Sequence, residues 1–269
     1  MECTEFSFMT GVKKKKDIEN ILDRSEESGL SFFFPRIVGD KDNSNTDVVD
    51  SSGSIISELS SQLCLKMAGE LFFEFEKHEE LFKLGKHFFN DLNEEVSRFG
   101  FCHTRGNEGA QTIIALSSFF AKEHDASSLI ITNRASLKAY EDVLGELRSK
   151  AFVTKESGFE VELYFSGGFY ILDIDNFTQK YSWDLQRDVL EEILGEVNLS
   201  LWNLPEIEKI KNNPEVYLLC LNFIHNVSLF VDLKNTEIRK VALAEEYFLK
   251  YSIPIKGFIV NFPMVIKSE

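Results

Sequence analysis

Residues 98–121 read RFGFCHTRGNEGAQTIIALSSFFA, and the order of their parts decides the fold. A β-rich run from Arg98 to Cys102 meets a loop with glycines at Gly106 and Gly109. Apolar residues at helical spacing then follow from Thr112 to Glu123. Strand, glycine loop and helix in that order place a row of backbone N–H groups at the carboxyl end of a strand, where an open α/β sheet builds its sites.

Further along, short β-rich runs recur at Ser128 to Ile131, Glu160 to Phe165, Tyr170 to Asp173, Asn198 to Trp202, Ser228 to Asp232 and Lys256 to Asn261. Helical patterns alternate with them: Ser136 to Ser149, Asp184 to Leu194, Pro214 to Ile224 and Glu237 to Tyr251. Strands such as SLFV and FIVN are apolar on both faces, as in a parallel sheet covered on both sides. The expected fold is α/β, a doubly wound, mostly parallel sheet in three layers. Residues 159–176, with Gly167 and Gly168 between two β-like runs, read as a hairpin apart from that sheet.

Upstream, residues 40–54 (DKDNSNTDVVDSSGS) have linker chemistry. They divide an N-terminal segment, 1–54 with its polar linker and partly disordered, from a domain at 55–269. That domain opens on amphipathic helical stretches, Leu63, Met67, Leu71 and Phe75, then Leu81, Leu84, Phe88 and Leu92. A chain of 269 residues with 43% hydrophobic content can bury a sizeable core. The 25 phenylalanines fall in groups, Phe32 to Phe34, Phe72-Phe73, Phe88-Phe89 and Phe119-Phe120, and core packing is the expected use.

A net charge of −15 excludes a nucleic-acid binder, which would cluster Lys and Arg against phosphates. No apolar run approaches the length of a membrane span, and the opening MECTEFSFMTGVKKKK lacks the order of a signal peptide. A cytoplasmic location is therefore expected. Cys3, Cys64, Cys102 and Cys220 stand singly, as free thiols do. His78, His87, His103, His124 and His225 have no metal-ligand spacing, so neither a metal site nor a catalytic residue is expected among them.

The loop Arg105-Gly106-Asn107-Glu108-Gly109-Ala110-Gln111-Thr112 resembles the phosphate loop of the MinD/ParA and bacterial tyrosine-kinase group of P-loop ATPases, which reads roughly KGGxGKTT or GxGEGKST. Arg105 falls at the group's extra lysine, and Gly106, Glu108, Gly109 and Thr112 match. Ala110 stands at the loop lysine and Gln111 at the magnesium-binding hydroxyl. The lysine neutralises phosphate charge and the hydroxyl holds Mg²⁺; losing one charge-assisted contact costs about 1.5 to 3 kcal/mol. Thr132 and Arg134 take the places of a carboxylate pair at the end of the next strand. Asn198 to Glu206 resembles the Walker B strand, with Asn203 replacing its aspartate. The competing choice is Tyr170 to Asp173, which keeps Asp173 and Asp175. Gly257 to Asn261 resembles the strand ending near the nucleotide base, and Asn261 takes the place of the family's asparagine.

The resemblance, over about residues 97–262, implies a vestigial nucleotide site lined by Arg105 to Thr112, Asn203 and Asn261, with no required cofactor and weak binding of ATP or ADP without Mg²⁺. It further implies a cytosolic scaffold or regulator whose partner is a membrane-embedded polysaccharide co-polymerase or a related complex. A homo-oligomer belongs to the same picture, although the stretch near Ser60 to Leu71 lacks the Glu and two Arg that assemble rings in the family. The ending FPMVIKSE carries no tyrosine cluster of the kind those kinases phosphorylate. Two other readings stay open: a degenerate MinD/ParA-type positioning protein, and a metal-dependent enzyme using Asp173 and Asp175. Duller roles compete throughout, since Gly106 and Gly109 also suit a tight turn and Asn261 a strand end.

Overall fold

The β-branched and aromatic runs line up side by side in one sheet. The computed structural model describes residues 4–9, 79–93, 96–104, 109–166, 168–232 and 238–263. In chain order the elements are β1 (Thr4–Met9), α1 (Glu79–Asp91), β2 (Arg98–His103), α2 (Ala110–His124), β3 (Ser128–Thr132), α3 (Arg134–Leu144), β4 (Arg148–Val153), β5 (Glu160–Ser166), β6 (Phe169–Asp173) and α4 (Ile174–Lys180). There follow α5 (Trp183–Gly195), β7 (Leu199–Leu204), α6 (Ile207–Asn212), α7 (Pro214–Phe223), β8 (Asn226–Asp232), α8 (Ile238–Lys250) and β9 (Ile255–Pro263).

The sheet order is β1-β9-β8-β2-β7-β3-β6-β5-β4. Strands β9, β8, β2, β7, β3 and β6 run parallel to one another, and antiparallel strands close both edges. This is the doubly wound α/β plan expected from sequence. On one face, α1, α2 and α3 bury Phe88, Ile113, Phe120 and Tyr140 against Phe99, Phe101, Ile130 and Leu201. On the other, α4 to α8 cover Cys102, Leu129, Ile131, Trp202 and Leu229. Alternation along β2, with Phe101 facing one layer and Cys102 the other, is the pleat of a strand buried on both sides. Phe88, Phe119 and Phe120 are core residues, and Phe89 packs against that core. The groups at Phe32 and Phe72 lie outside the described residues.

Three readings change. The segment 159–176 is a hairpin and part of the main sheet at once: β6 pairs antiparallel with β5 and parallel with β3. The helix expected to Ser149 stops at Leu144, because Gly145 turns the chain at φ 81° while its N–H caps Glu141. Strand β4 follows, which the helical pattern had hidden. Thr4–Met9, assigned to the segment ahead of the linker, supplies edge strand β1 along β9.

Candidate functional site

Parallel strands leave their last residues in register at one edge. Phe101 on β2 pairs with Asn203 on β7, Asn203 with Thr132 on β3, and Thr132 with Asp173 on β6. Three polar residues thus stand in one row where the strands end. Strand β7 lies directly against strand β2, which leads into the glycine loop, while β6 is two strands further out, so of the two Walker B choices Asn203 is the one on the neighbouring strand.

That row is buried and joined by hydrogen bonds. His103 on β2 is 2% exposed and Asn203 equally so, and His103 Nε2 lies 2.7 Å from Asn203 Oδ1. Asn203 Nδ2 donates to Thr132 Oγ1 at 3.3 Å. Since the amide nitrogen is used on Thr132, its oxygen accepts, and His103 is assigned as the Nε2–H tautomer. Burial lowers the His103 pKa to about 4, against the smaller opposing effect of Asn203, so the ring is neutral near pH 7. Tyr140 from α3 lies beside Asn203 and Thr132, and burial holds its phenol well above its ordinary pKa. Every member of the group His103, Asn203, Thr132 and Tyr140 is neutral.

His103 stacks on Phe230 of β8, centroids 4.9 Å apart. Thr104 ties the chain leaving β2 to the same strand, its hydroxyl donating to Phe230 O at 2.7 Å. Gly109 then packs on both rings: a Cβ there would lie 2.5 Å from Phe230 and 2.7 Å from His103. Its φ is −78°, an ordinary value, so close approach rather than a left-handed turn requires the glycine. Ala110 opens α2 and is buried, Gln111 is exposed, and Thr112 is fully buried with its hydroxyl lacking a hydrogen-bond partner among the described residues. Among the described residues no side chain caps the start of α2 and its first turn carries no acidic residue, so the helix presents backbone N–H groups there. Arg105, Gly106, Asn107 and Glu108 lie outside the described residues. The backbone of Asn261 pairs with Asp232 and Phe6 inside β9, which continues to Pro263; it is not a strand end, and it sits two strands from β2.

These residues do not fit a magnesium nucleotide. Mg²⁺ needs hard oxygen ligands with negative charge near them, whereas the Asn203 oxygen is taken up by His103 and the first turn of α2 has alanine and glutamine at the two decisive places. The aspartates of the competing reading already have structural work. Asp173 caps α4, accepting from Asp175 N at 3.1 Å, and Asp175 accepts from Arg134 N at 3.0 Å at the start of α3. Burial raises the Asp173 pKa, and one of its oxygens has no partner among the described residues. Sequence reasoning passed over His103 and Tyr140. The signal for His103 was its place two residues before Arg105 on the strand end, while nothing local marks Tyr140.

No family model matches the chain, and no curated protein matches it. Among solved structures it is similar to the kinase domain of the Escherichia coli tyrosine kinase ETK, at 13% identity and a TM-score of 0.49, over 71% of this chain and 77% of that one. It is also similar to the chimerical protein CapA2B2, at 13% identity and a TM-score of 0.46, over 69% of this chain and 84% of that one. No helix among the described residues is long and apolar enough to cross a membrane.

Proposed function

We propose that this chain is a catalytically silent protein on the P-loop ATPase plan, which works by binding as a scaffold or regulator of a membrane complex that makes or exports polysaccharide. One observation supports the reading: the buried, neutral chain His103–Asn203–Thr132 occupies the ends of β2, β7 and β3. Phosphoryl transfer is catalysed mainly by placing positive charge and a metal around the transferring group. A hydrogen-bonded neutral network supplies neither, and the Asn203 amide in its middle is already committed to His103 and Thr132.

What remains is the start of α2, whose N–H groups no described side chain caps and which favours an anion whatever the side chains. Weak ATP or ADP binding that needs no Mg²⁺ is the expected remnant. The polysaccharide partner rests on the order of the sequence motifs from the glycine loop to Gly257-Phe258-Ile259-Val260-Asn261.

Phosphate release with ATP and Mg²⁺ tests the silent site, in the natural chain and in Ala110→Lys. Both should stay at the background rate, because one restored lysine leaves the metal without a carboxylate. Turnover in either would overturn the reading. Calorimetry with ATP and ADP, with and without Mg²⁺, tests the remnant: affinity that requires the metal would show that a metal site exists after all.

A further inference from the structure

The sheet ends differently at its two sides. Strand β4 closes one side and carries Arg148 and Lys150, charges of the kind that keep an edge from pairing further. On the other side the parallel strands stop at β9, whose run Gly257 to Pro263 (GFIVNFP) has no charged residue. An edge of that character is a template for any extended strand. Here β1 covers it, antiparallel and in register from Thr4 opposite Pro263 to Met9 opposite Phe258.

Strand β1 is attached unlike the other strands. It is the first element of the chain and β9 is the last, and residues 10–78 lie between Met9 and the start of α1. Among the described residues β9 is the one strand that pairs with it, and α1 packs beside it. Helix α1 has its own hold on β9: Asp91 is ion-paired with Lys256, whose ammonium lies 4.9 Å from the ring centre of the fully buried Phe88. Withdrawal of β1 therefore leaves the parallel strands and α1 in place and uncovers the backbone edge of β9.

The connection from Met9 to α1 is long enough to carry β1 to another molecule, since an extended residue spans about 3.3 Å. For a connection of this length, the advantage of the chain's own strand over one from outside corresponds to an effective concentration of about a millimolar or less. A second copy supplies an identical strand. Exchange keeps every β1–β9 hydrogen bond and joins the two copies in a closed, two-fold contact.

We propose that β1 is an exchangeable strand and that two copies of this chain join by trading it, each laying Thr4–Met9 along β9 of the other. A second copy is the occupant because its strand fits the register that β9 already accepts, and because reciprocal exchange covers the uncharged edge in both copies at once. The contact involves neither α2 nor Asn203, so it stands whether or not the site at the strand ends is silent.

Disulfide trapping tests it. Cys102 and Cys220 are buried, so Cys3→Ser and Cys64→Ser give a background for added thiols. In that background one chain carries Ser7→Cys and a second carries Val260→Cys, positions that stand opposite in the pairing and, as cross-strand neighbours, within reach of a disulfide. Neither chain can form this bond within itself. The two are mixed under a mild oxidant at about 10 to 1,000 μM, which brackets the effective concentration of the internal strand. The expected result is a disulfide-linked mixed dimer that grows with concentration. Its yield should be about tenfold above that of Ser7→Cys mixed with Ser149→Cys on β4, where collision alone brings the thiols together. The double variant Ser7→Cys/Val260→Cys reports the pairing within one copy. A bond in that variant with no mixed dimer at any concentration would overturn the proposal, since β1 then stays with its own copy; no bond in either would remove the pairing itself. In the unaltered chain, light scattering should show a dimer whose share rises with concentration and which deletion of residues 1–9 abolishes. A chain that stays monomeric, or a dimer that survives the deletion, would equally overturn it.

Discussion

Asn203 and Gly109 do their work through single contacts, so their removal has a calculable direction. In Asn203→Ala, His103 Nε2 loses its acceptor and Thr132 loses a donor, in a place water does not reach. A buried donor left unsatisfied costs about 1 to 3 kcal/mol, and the cavity adds to it. Urea unfolding should register a loss of about 2 to 4 kcal/mol; a loss below 1 kcal/mol would mean that the network is slack. Gly109→Ala drives a methyl into the rings of Phe230 and His103, and overpacking of this kind costs about 1 to 3 kcal/mol. Its melting temperature should fall even though its backbone angles suit alanine, which separates close approach from turn geometry as the reason for the glycine.

At the scale of elements, Gly145 marks where helical pattern and chain course part. Apolar spacing continues past Leu144, but a residue at φ 81° and ψ −159° stops α3 and releases the chain into β4. No atom lies within 4 Å of a Cβ built there, so the cost of Gly145→Ala is wholly one of backbone strain, about 1 to 3 kcal/mol. Thermal unfolding of that variant beside Gly195→Ala, which is also open to solvent but lies in α5, gives the comparison. The helical site should tolerate or gain from alanine, and equal losses at both would contradict the assignment. Gly85 makes the matching point about packing: α1 approaches α2 so closely that a Cβ would meet the Phe119 ring at 2.5 Å.

For the molecule as a whole, histidines shielded from water contribute to the response to acid. Burial holds His103 and His87 at about 4, below their ordinary 6.5, with Lys256 a second cause at His87. The unfolded chain takes up these protons below about 6.5 while the folded one refuses them until about 4, so stability is full above that window and is lost as pH falls through it. Asp173, raised by burial, opposes the loss at its lower end. Urea midpoints should therefore drop between pH 7 and 4.5, by on the order of 2 kcal/mol for His103, and His103→Gln should flatten the profile. A midpoint that does not move, or moves equally in the variant, would show that the histidine ring is already charged.

What the sequence alone determined was the succession of strand and helix around the glycine loop, the parallel sheet clad on both faces, and the core use of Phe88, Phe119 and Phe120. These are legible because periodicity and residue type act over a few neighbours. Only the tertiary structure decided that β7 rather than β6 stands against the loop strand, since strand order depends on packing between segments a hundred residues apart. The same holds for the bond from His103 to Asn203 and for Tyr140 beside Thr132. No local pattern encodes these groupings. They exist because the doubly wound sheet brings distant strand ends and helix starts to one edge.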